Sequence, residues 1–332
     1  MVLSLQDSTP AVYERVKRSA HSTAAAGFYK LAFQAMNTLC RVHFQAAQPN
    51  GARDFQAEVL RWVAWFEARY SRFIADSLIG RINAAAGTHW VEVDLETEFL
   101  LDLCQEMVFF TKGVFDPTAL PLIRLWNWKT NPPVVPDDAA IKAAQRLVGW
   151  SKVQRRKGAI FLPQEGMCLD LGGIGKEYAV DRMLTLALER GNANVLVDFG
   201  QDVRVHGSPP GRSAWQIGLQ DPKDTNQCWG AVAVTNHAVA TSGDCLRYFL
   251  HQGRRYGHII DPRTGYPVNN GLLSVSVIAP HCTMAGILST TVFILGPKEG
   301  MNLIGICPNI EGCVTTDTTR IESQGFYAYK IS

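Results

Sequence analysis

Between residues 54 and 73 the chain reads DFQAEVLRWVAWFEARYSRF. Phe55, Val59, Val63, Phe66 and Tyr70 recur there at the spacing of one helix face, and Asp54 stands in a capping position. The aromatic residues of this helix read as core. Residues 94–112 predict a second helix. A third, short one runs to about Val148 after the proline-rich break WKTNPPVVPDDAA. Upstream, AMNTLCRVHFQAA alternates as a strand, and residues 1–30 are weakly patterned, an N-terminal arm either helical or loose.

From about Lys152 the period changes. AIFL, NVLVDFG, WQIGLQDP, WGAVAVTNHAVAT, YGHIID and LLSVSVIAP are short apolar or alternating runs divided by turn residues, the mark of strands. Two helices interrupt them, Ile174–Arg190 and Thr283–Leu295. Each is followed by a glycine, Gly191 and Gly296, suited to a left-handed helix end. Strands joined mostly by hairpins, with helices packed outside, predict an α+β fold with a largely antiparallel sheet. No βαβ alternation recurs, which argues against a doubly wound fold.

Composition narrows the classes. The 332 residues are 47% apolar and 19% charged, a globular balance, and the net charge of +2 gives no electrostatic footprint for nucleic acid. The longest apolar run, near Gly286 to Leu295, is too short to span a bilayer. The first thirty residues lack the order of parts of a signal peptide, so a cytoplasmic location is expected. The eight cysteines are scattered without a C-x-x-C pair and read as reduced thiols rather than zinc ligands, and a Cys307–Cys313 bridge on oxidation is the lesser alternative.

Five segments carry candidate chemistry. HIIDPRTGYPV, His258 to Val268, reads as a hairpin turn in which Pro262 fixes φ and Gly265 takes a positive φ, but a turn alone requires neither His258 nor Arg263. LDLGGIGKEYAVDR opens a helix behind Gly172 and Gly173. That is either a tight turn or a backbone cradle for an anion, with Lys176 as a point charge for phosphate. Its spacing matches neither the dinucleotide fingerprint nor the P-loop. VFDPTALPLIRLW contributes a second Asp-Pro-Thr turn, VATSGD puts small polar residues at a strand end, and VDFGQDVRVHG carries Asp198 and Asp202.

Taken in order, AMNT, SRFIADSLIGRIN, FDPTALPLIRLW, DLGGIGKEYAVD, VDFGQDVRVHG, ATSGD, HIIDPRTGYPV and MAGILSTTVFILG resemble the FAD:protein FMN transferases, the ApbE family, from about Phe33 to Gly296. The resemblance implies a single ApbE-like α+β domain over residues 31–332. It implies that FMN is moved from FAD, with Mg²⁺, onto a Thr or Ser hydroxyl of an acceptor protein while AMP leaves. Met36 and Asp116 then match flavin- or adenosine-contacting segments, and Gly172, Gly173 and Lys176 the part near the pyrophosphate. His258 matches the proposed base for the acceptor hydroxyl, its ordinary pKa of roughly 6.5 suiting neutral pH. Asp261 is grouped with the cofactor-binding residues, where with Arg263 it holds the turn rigid. Thr290 and the backbone carbonyl at Gly175 match the metal site.

The chain departs from the family pattern A-D-A-L-[AST]-T at Gly286, where the pattern has the metal-binding Asp. Asn37 and Gln201 replace family glycines, and Gly175-Lys176-Glu177 stands where Ala-Lys-Gly is common. Mg²⁺ is usually held by at least one carboxylate. Glu177, Asp198 and Asp244 are the acids the sequence offers in its place. Three activities stay open at this point: flavin transfer, FAD binding without turnover, and hydrolysis of FAD to FMN and AMP.

Overall fold

The computed structural model describes residues 8–127, 132–245 and 247–331, so the first residues of the proline-rich break lie outside it. In chain order, α1 (Thr9–Ser19) leads into β1 (His21–Ala25), β2 (Phe28–Ala35) and β3 (Thr38–Gln45). Next come α2 (Pro49–Tyr70), α3 (Leu78–Ala84), β4 (Val91–Glu92), α4 (Leu95–Phe110), α5 (Leu120–Leu125) and α6 (Asp138–Arg146). Then follow β5 (Gln154–Arg156), β6 (Ala159–Phe161), α7 (Gly175–Glu189), β7 (Ala193–Phe199), β8 (Asp202–His206), β9 (Trp215–Gln220), β10 (Cys228–Val234) and β11 (Ala238–Gly243). The chain closes with β12 (Tyr248–His251), β13 (Arg254–Gly257), β14 (Leu272–Ala279), α8 (Cys282–Leu295), α9 (Pro297–Ile306), β15 (Glu311–Thr316) and β16 (Arg320–Glu322).

Nine strands form one sheet in the order β1-β2-β3-β7-β8-β11-β14-β15-β16, and every neighbouring pair is antiparallel. The expected α+β class is the one observed. The sheet is buried on both faces at its centre, which is why β14 loses its alternation. Ala238, Ala240, Val275 and Val277 join the large core with α2, α7 and α8. Val239 and Ile278 turn to a second cluster, with Trp215 of β9, Val232 and Val234 of β10, and Phe326. On α2, Phe55, Val59, Val63, Phe66 and Tyr70 are all buried, and Phe55 meets Phe44 of β3 edge to face at 4.8 Å.

The structure corrects several sequence expectations. The run 35–47 is not one strand, because Met36 and Asn37 both take positive φ (49° and 57°) and Ala35 faces Thr38 across a two-residue turn. Such a turn matches the twist of its strands, yet it lacks the Asn-Gly signature that betrays one. Helix α2 begins at Pro49 with Gln48 as its N-cap, leaving Asp54 inside the first turns. WGAVAVTNHAVAT divides at Asn236, whose φ is 53°, and its halves enter different sheets. YGHIID is a strand only to Gly257, and β13 pairs with β12. The turn beyond is closed by the single bridge Ile260–Pro267. Residues 8–30 are built into the fold: Val12 and Val16 of α1 are buried, and residue 30 lies within β2.

Antiparallel order brings one set of connections to the same end of the sheet. The β2–β3 turn lies against the β7–β8 turn, where the Gly200 N–H donates to Leu39 O at 3.1 Å and a Cβ on Gly200 would fall 2.3 Å from Thr38 Oγ1. The end of β11 and the start of α7 reach the same end.

Candidate active site

The glycine turn ahead of α7 is held from two sides. Asp170 N–H donates to Pro117 O at 2.8 Å, and the Asp170 carboxylate accepts from Gly172 N–H at 2.9 Å and from Arg72 Nε at 3.2 Å. Burial raises the Asp170 pKa, and Arg72 pulls it back. Gly173 approaches Phe115, whose ring would stand 3.3 Å from an added Cβ. The Asp-Pro-Thr loop and the glycine turn therefore form one unit, with Gly172 and Gly173 exposed at its surface.

Asp116 fastens that unit. One carboxylate oxygen accepts from Thr118 N–H (2.8 Å) and Thr118 Oγ1 (2.6 Å), and the other from Trp150 N–H at 3.0 Å. Both oxygens thus bind the protein itself. Met36, at the tip of the β2–β3 turn, is tied back by its N–H to Glu67 Oε2 on α2 at 2.9 Å.

Lys176 and Glu177 open α7 just after Gly175. Lys176 ion-pairs with Asp202, the first residue of β8, and its Nζ lies 3.5 Å from Glu177 Oε1. Glu177 is buried, and its second oxygen, Oε2, has no hydrogen-bond partner among the described residues. Its side chain lies over Gly286 of α8, where an added Cβ would fall 2.5 Å from Glu177 Cγ. Thr290 stands one turn further along α8, on the same face. Its hydroxyl is 2.9 Å from Ser242 Oγ at the end of β11, and Ser242 Oγ is 2.7 Å from Ser289 Oγ.

The helices are held in register by Asp181, four residues beyond Glu177. Its carboxylate accepts from the N–H groups of Cys282 (2.8 Å) and Thr283 (2.9 Å), from Thr283 Oγ1 (2.7 Å) and from Arg204 (3.0 Å). It caps α8 from the neighbouring helix, a tertiary contact that no local sequence pattern reveals.

The other two acids considered are committed. Asp198 accepts from Arg41 Nη1 at 2.8 Å and from Gln201 N–H at 2.8 Å. Asp244 pairs with Arg255 at 3.0 Å and lies against Gly257, where an added Cβ would fall 2.3 Å from its Oδ2. Burial raises the Asp244 pKa against the pull of Arg255.

Gly257 leads to His258. This imidazole is partly buried, and its Nδ1 has no hydrogen-bond partner among the described residues. Burial, and secondarily the charge of Arg247, push its pKa down to about 4, below the ordinary value expected from the sequence. The ring is therefore neutral at pH 7. The turn that follows is rigid. Asp261 takes Arg263 in a bidentate pair (2.9 and 2.8 Å) and also accepts from the Arg263 N–H at 2.9 Å. Gly265 has φ 80°, and its carbonyl accepts from Trp126 Nε1 at 2.7 Å. The Asp261 carboxylate thus holds the turn.

A polar seam results: the glycine turn, Lys176, Glu177 over Gly286, Thr290 with Ser242, then Asp244 and His258. No three His, Cys, Asp or Glu side chains among the described residues gather into a metal cage. Glu177, Thr290 and the Gly175 carbonyl offer oxygen atoms only, the donor type that a hard cation takes.

The chain is similar to known proteins over most of its length. The ApbE family model matches residues 36–314. An FAD:protein FMN transferase of Treponema pallidum is 32% identical over 89% of this chain and 86% of its own length. The crystal structure of the ApbE protein from Thermotoga maritima superposes with a TM-score of 0.83 at 31% identity, covering 92% of this chain and all of its own. The flavin transferase ApbE from Vibrio cholerae gives 0.81 at 25% identity, over 93% and 99% of the two chains.

Proposed function

The chain belongs to the ApbE family, and on that premise we propose that it is an FAD:protein FMN transferase. FAD is the donor, and an acceptor protein receives FMN on a Thr or Ser hydroxyl. The hydroxyl oxygen attacks the FMN-side phosphorus of the pyrophosphate. The bond from that phosphorus to the bridging oxygen breaks, and AMP departs. Such a reaction needs positioning and charge neutralisation more than covalent chemistry from the protein.

The observation that carries this reading is the meeting of the glycine-led start of α7 with the Thr290 face of α8 at one end of the sheet. The exposed glycine turn lets the pyrophosphate approach the Gly173 N–H, the Gly172 N–H being taken by Asp170, with Lys176 to supply positive charge. Asp116 closes the Asp-Pro-Thr loop on itself and on Trp150, Asp170 N–H joins that loop to the glycine turn through Pro117 O, and the Met36 turn lines the same end of the sheet. Thr290 and the Gly175 carbonyl are proposed to hold Mg²⁺. When bound, Mg²⁺ neutralises and orients the pyrophosphate oxygens as a Lewis acid.

His258 is proposed to take the hydroxyl proton. It is neutral and so able to accept one, and Asp261 and Arg263 fix the turn that carries it. A pyrophosphate nearby favours the protonated ring and raises its basicity as the complex forms.

The test is AMP release from FAD together with a mass gain of one FMN on an acceptor bearing a Thr or Ser. His258→Ala should slow transfer by roughly 100-fold or more with FAD affinity kept. No AMP and no flavinylated product with any acceptor tried would end the reading. No helix among the described residues is long and apolar enough to cross a membrane.

A further inference from the structure

We infer that Glu177 is the carboxylate of the divalent-cation site, delivered from α7 into the space over Gly286 of α8. The inference rests on the flavin-transfer reading for the identity of the cation, and on this chain's own packing for the residue.

Three observations converge. Glu177 is more than nine-tenths buried, yet its Oε2 has no hydrogen-bond partner among the described residues. A buried anionic oxygen without a partner is costly, and a cation ligand removes that cost. Second, Gly286 leaves room for this side chain and nothing more: an added Cβ would fall 2.5 Å from Glu177 Cγ, 3.1 Å from Cδ and 3.2 Å from Oε1. An acid on α7 thus occupies the volume that a side chain on α8 would need. Third, the other acids are engaged. Asp198 is held by Arg41 and Asp202 by Lys176, and Asp244, whose Oδ1 makes no hydrogen bond among the described residues, faces the Arg255 guanidinium at 3.0 Å. Lys176 reaches only Glu177 Oε1, at 3.5 Å, which leaves Oε2 free.

Thr290 lies one turn from Gly286 on the same face of α8, so the Glu177 carboxylate and the Thr290 hydroxyl border the same stretch of helix. Residues 177 and 286 form a reciprocal pair, one bulky and acidic, the other bare. The sequence comparison with the family pattern shows Gly286 as a loss, whereas the structure shows it as half of an exchange.

The experiment is calorimetric titration of Mg²⁺ into the purified, FAD-loaded chain, repeated with Glu177→Gln, with Gly286→Asp, and with the double variant Glu177→Gly/Gly286→Asp. Thermal melting of each variant is followed alongside. Glu177→Gln, nearly isosteric, should weaken Mg²⁺ binding at least about tenfold, the lower end of what losing even an outer-shell partner costs. Gly286→Asp alone should melt earlier than the native chain, because two side chains contend for one space. The double variant should recover both melting temperature and Mg²⁺ affinity. Unchanged Mg²⁺ affinity in Glu177→Gln, or a double variant no better than Gly286→Asp alone, overturns the inference. AMP release from the native chain separates the two proposals. Turnover with no Glu177-dependent Mg²⁺ binding sinks the inference and leaves the transferase reading, and Glu177-dependent binding without turnover does the reverse.

Discussion

At His258, environment matters more than residue type. An imidazole pushed down to about 4 stays neutral in the folded chain where the unfolded chain, near its ordinary value of about 6.5, takes up a proton. The unfolded state binds more protons between those two values, so this residue's contribution to stability is present above about pH 6.5 and is lost as pH falls toward 4. Denaturant midpoints at pH 4.5, 5.5 and 7 should fall with acidity more steeply in the native chain than in His258→Gln. Equal slopes would show that the ring is not buried as described. The thiols follow the same logic: burial pushes Cys40, Cys104 and Cys313 up to about 12, in keeping with the reduced, inert role expected from their scatter. Asn37 and Gln201, which stand where the resemblance implies glycine, keep a glycine-like backbone, with φ of 57° and 74°. The turn geometry therefore outlasts the residue that normally favours it.

Helices and strands were legible in the sequence to the degree that their signals are local. The apolar stripe of α2, the run that forms α4 and the glycines after α7 and α8 each lie within a few residues of what they specify. The Met36–Asn37 turn was not legible, because its residues are ordinary and its conformation is imposed by pairing of the strands on either side. The caps that matter most for the site were hidden for a different reason: Asp181 reaches α8 across a tertiary contact. Asp181→Ala removes an N-cap and leaves Arg204 unpaired. It should cost at least about 2 kcal/mol, read from chemical denaturation. A cost within a few tenths would mean that α8 is positioned by packing alone. The candidate site was half visible. Lys176, Thr290 and His258 sit in recognisable strings, whereas the partnership of Glu177 with Gly286 exists only once two helices are laid side by side.

For the molecule as a whole, the nine-stranded sheet is what gathers segments from most of the chain at one end. Strand β3 is central because β2 covers one edge and β7 the other. A chain beginning at residue 31 would lose α1, β1 and the first part of β2. It would bare the edge of the remaining strand and the buried Val12 and Val16 contacts on α2, inviting association through unpaired backbone. Such a truncation should be recovered mainly in aggregates, or melt well below the full chain. A soluble, equally stable 31–332 product would instead mark the first thirty residues as a separable arm.

The crowding of residues 177 and 286 has a historical consequence. Between a chain with a bare 177 and an acid at 286 and the present one, two single-substitution routes exist. One passes through a sequence with both acids, which collide; the other passes through a sequence with neither, which lacks the carboxylate. Each intermediate is handicapped, one in folding and one in cation binding. If Glu177 is that carboxylate, the two positions should be inherited together, and a substitution harmless in one lineage should become damaging when transplanted alone into another.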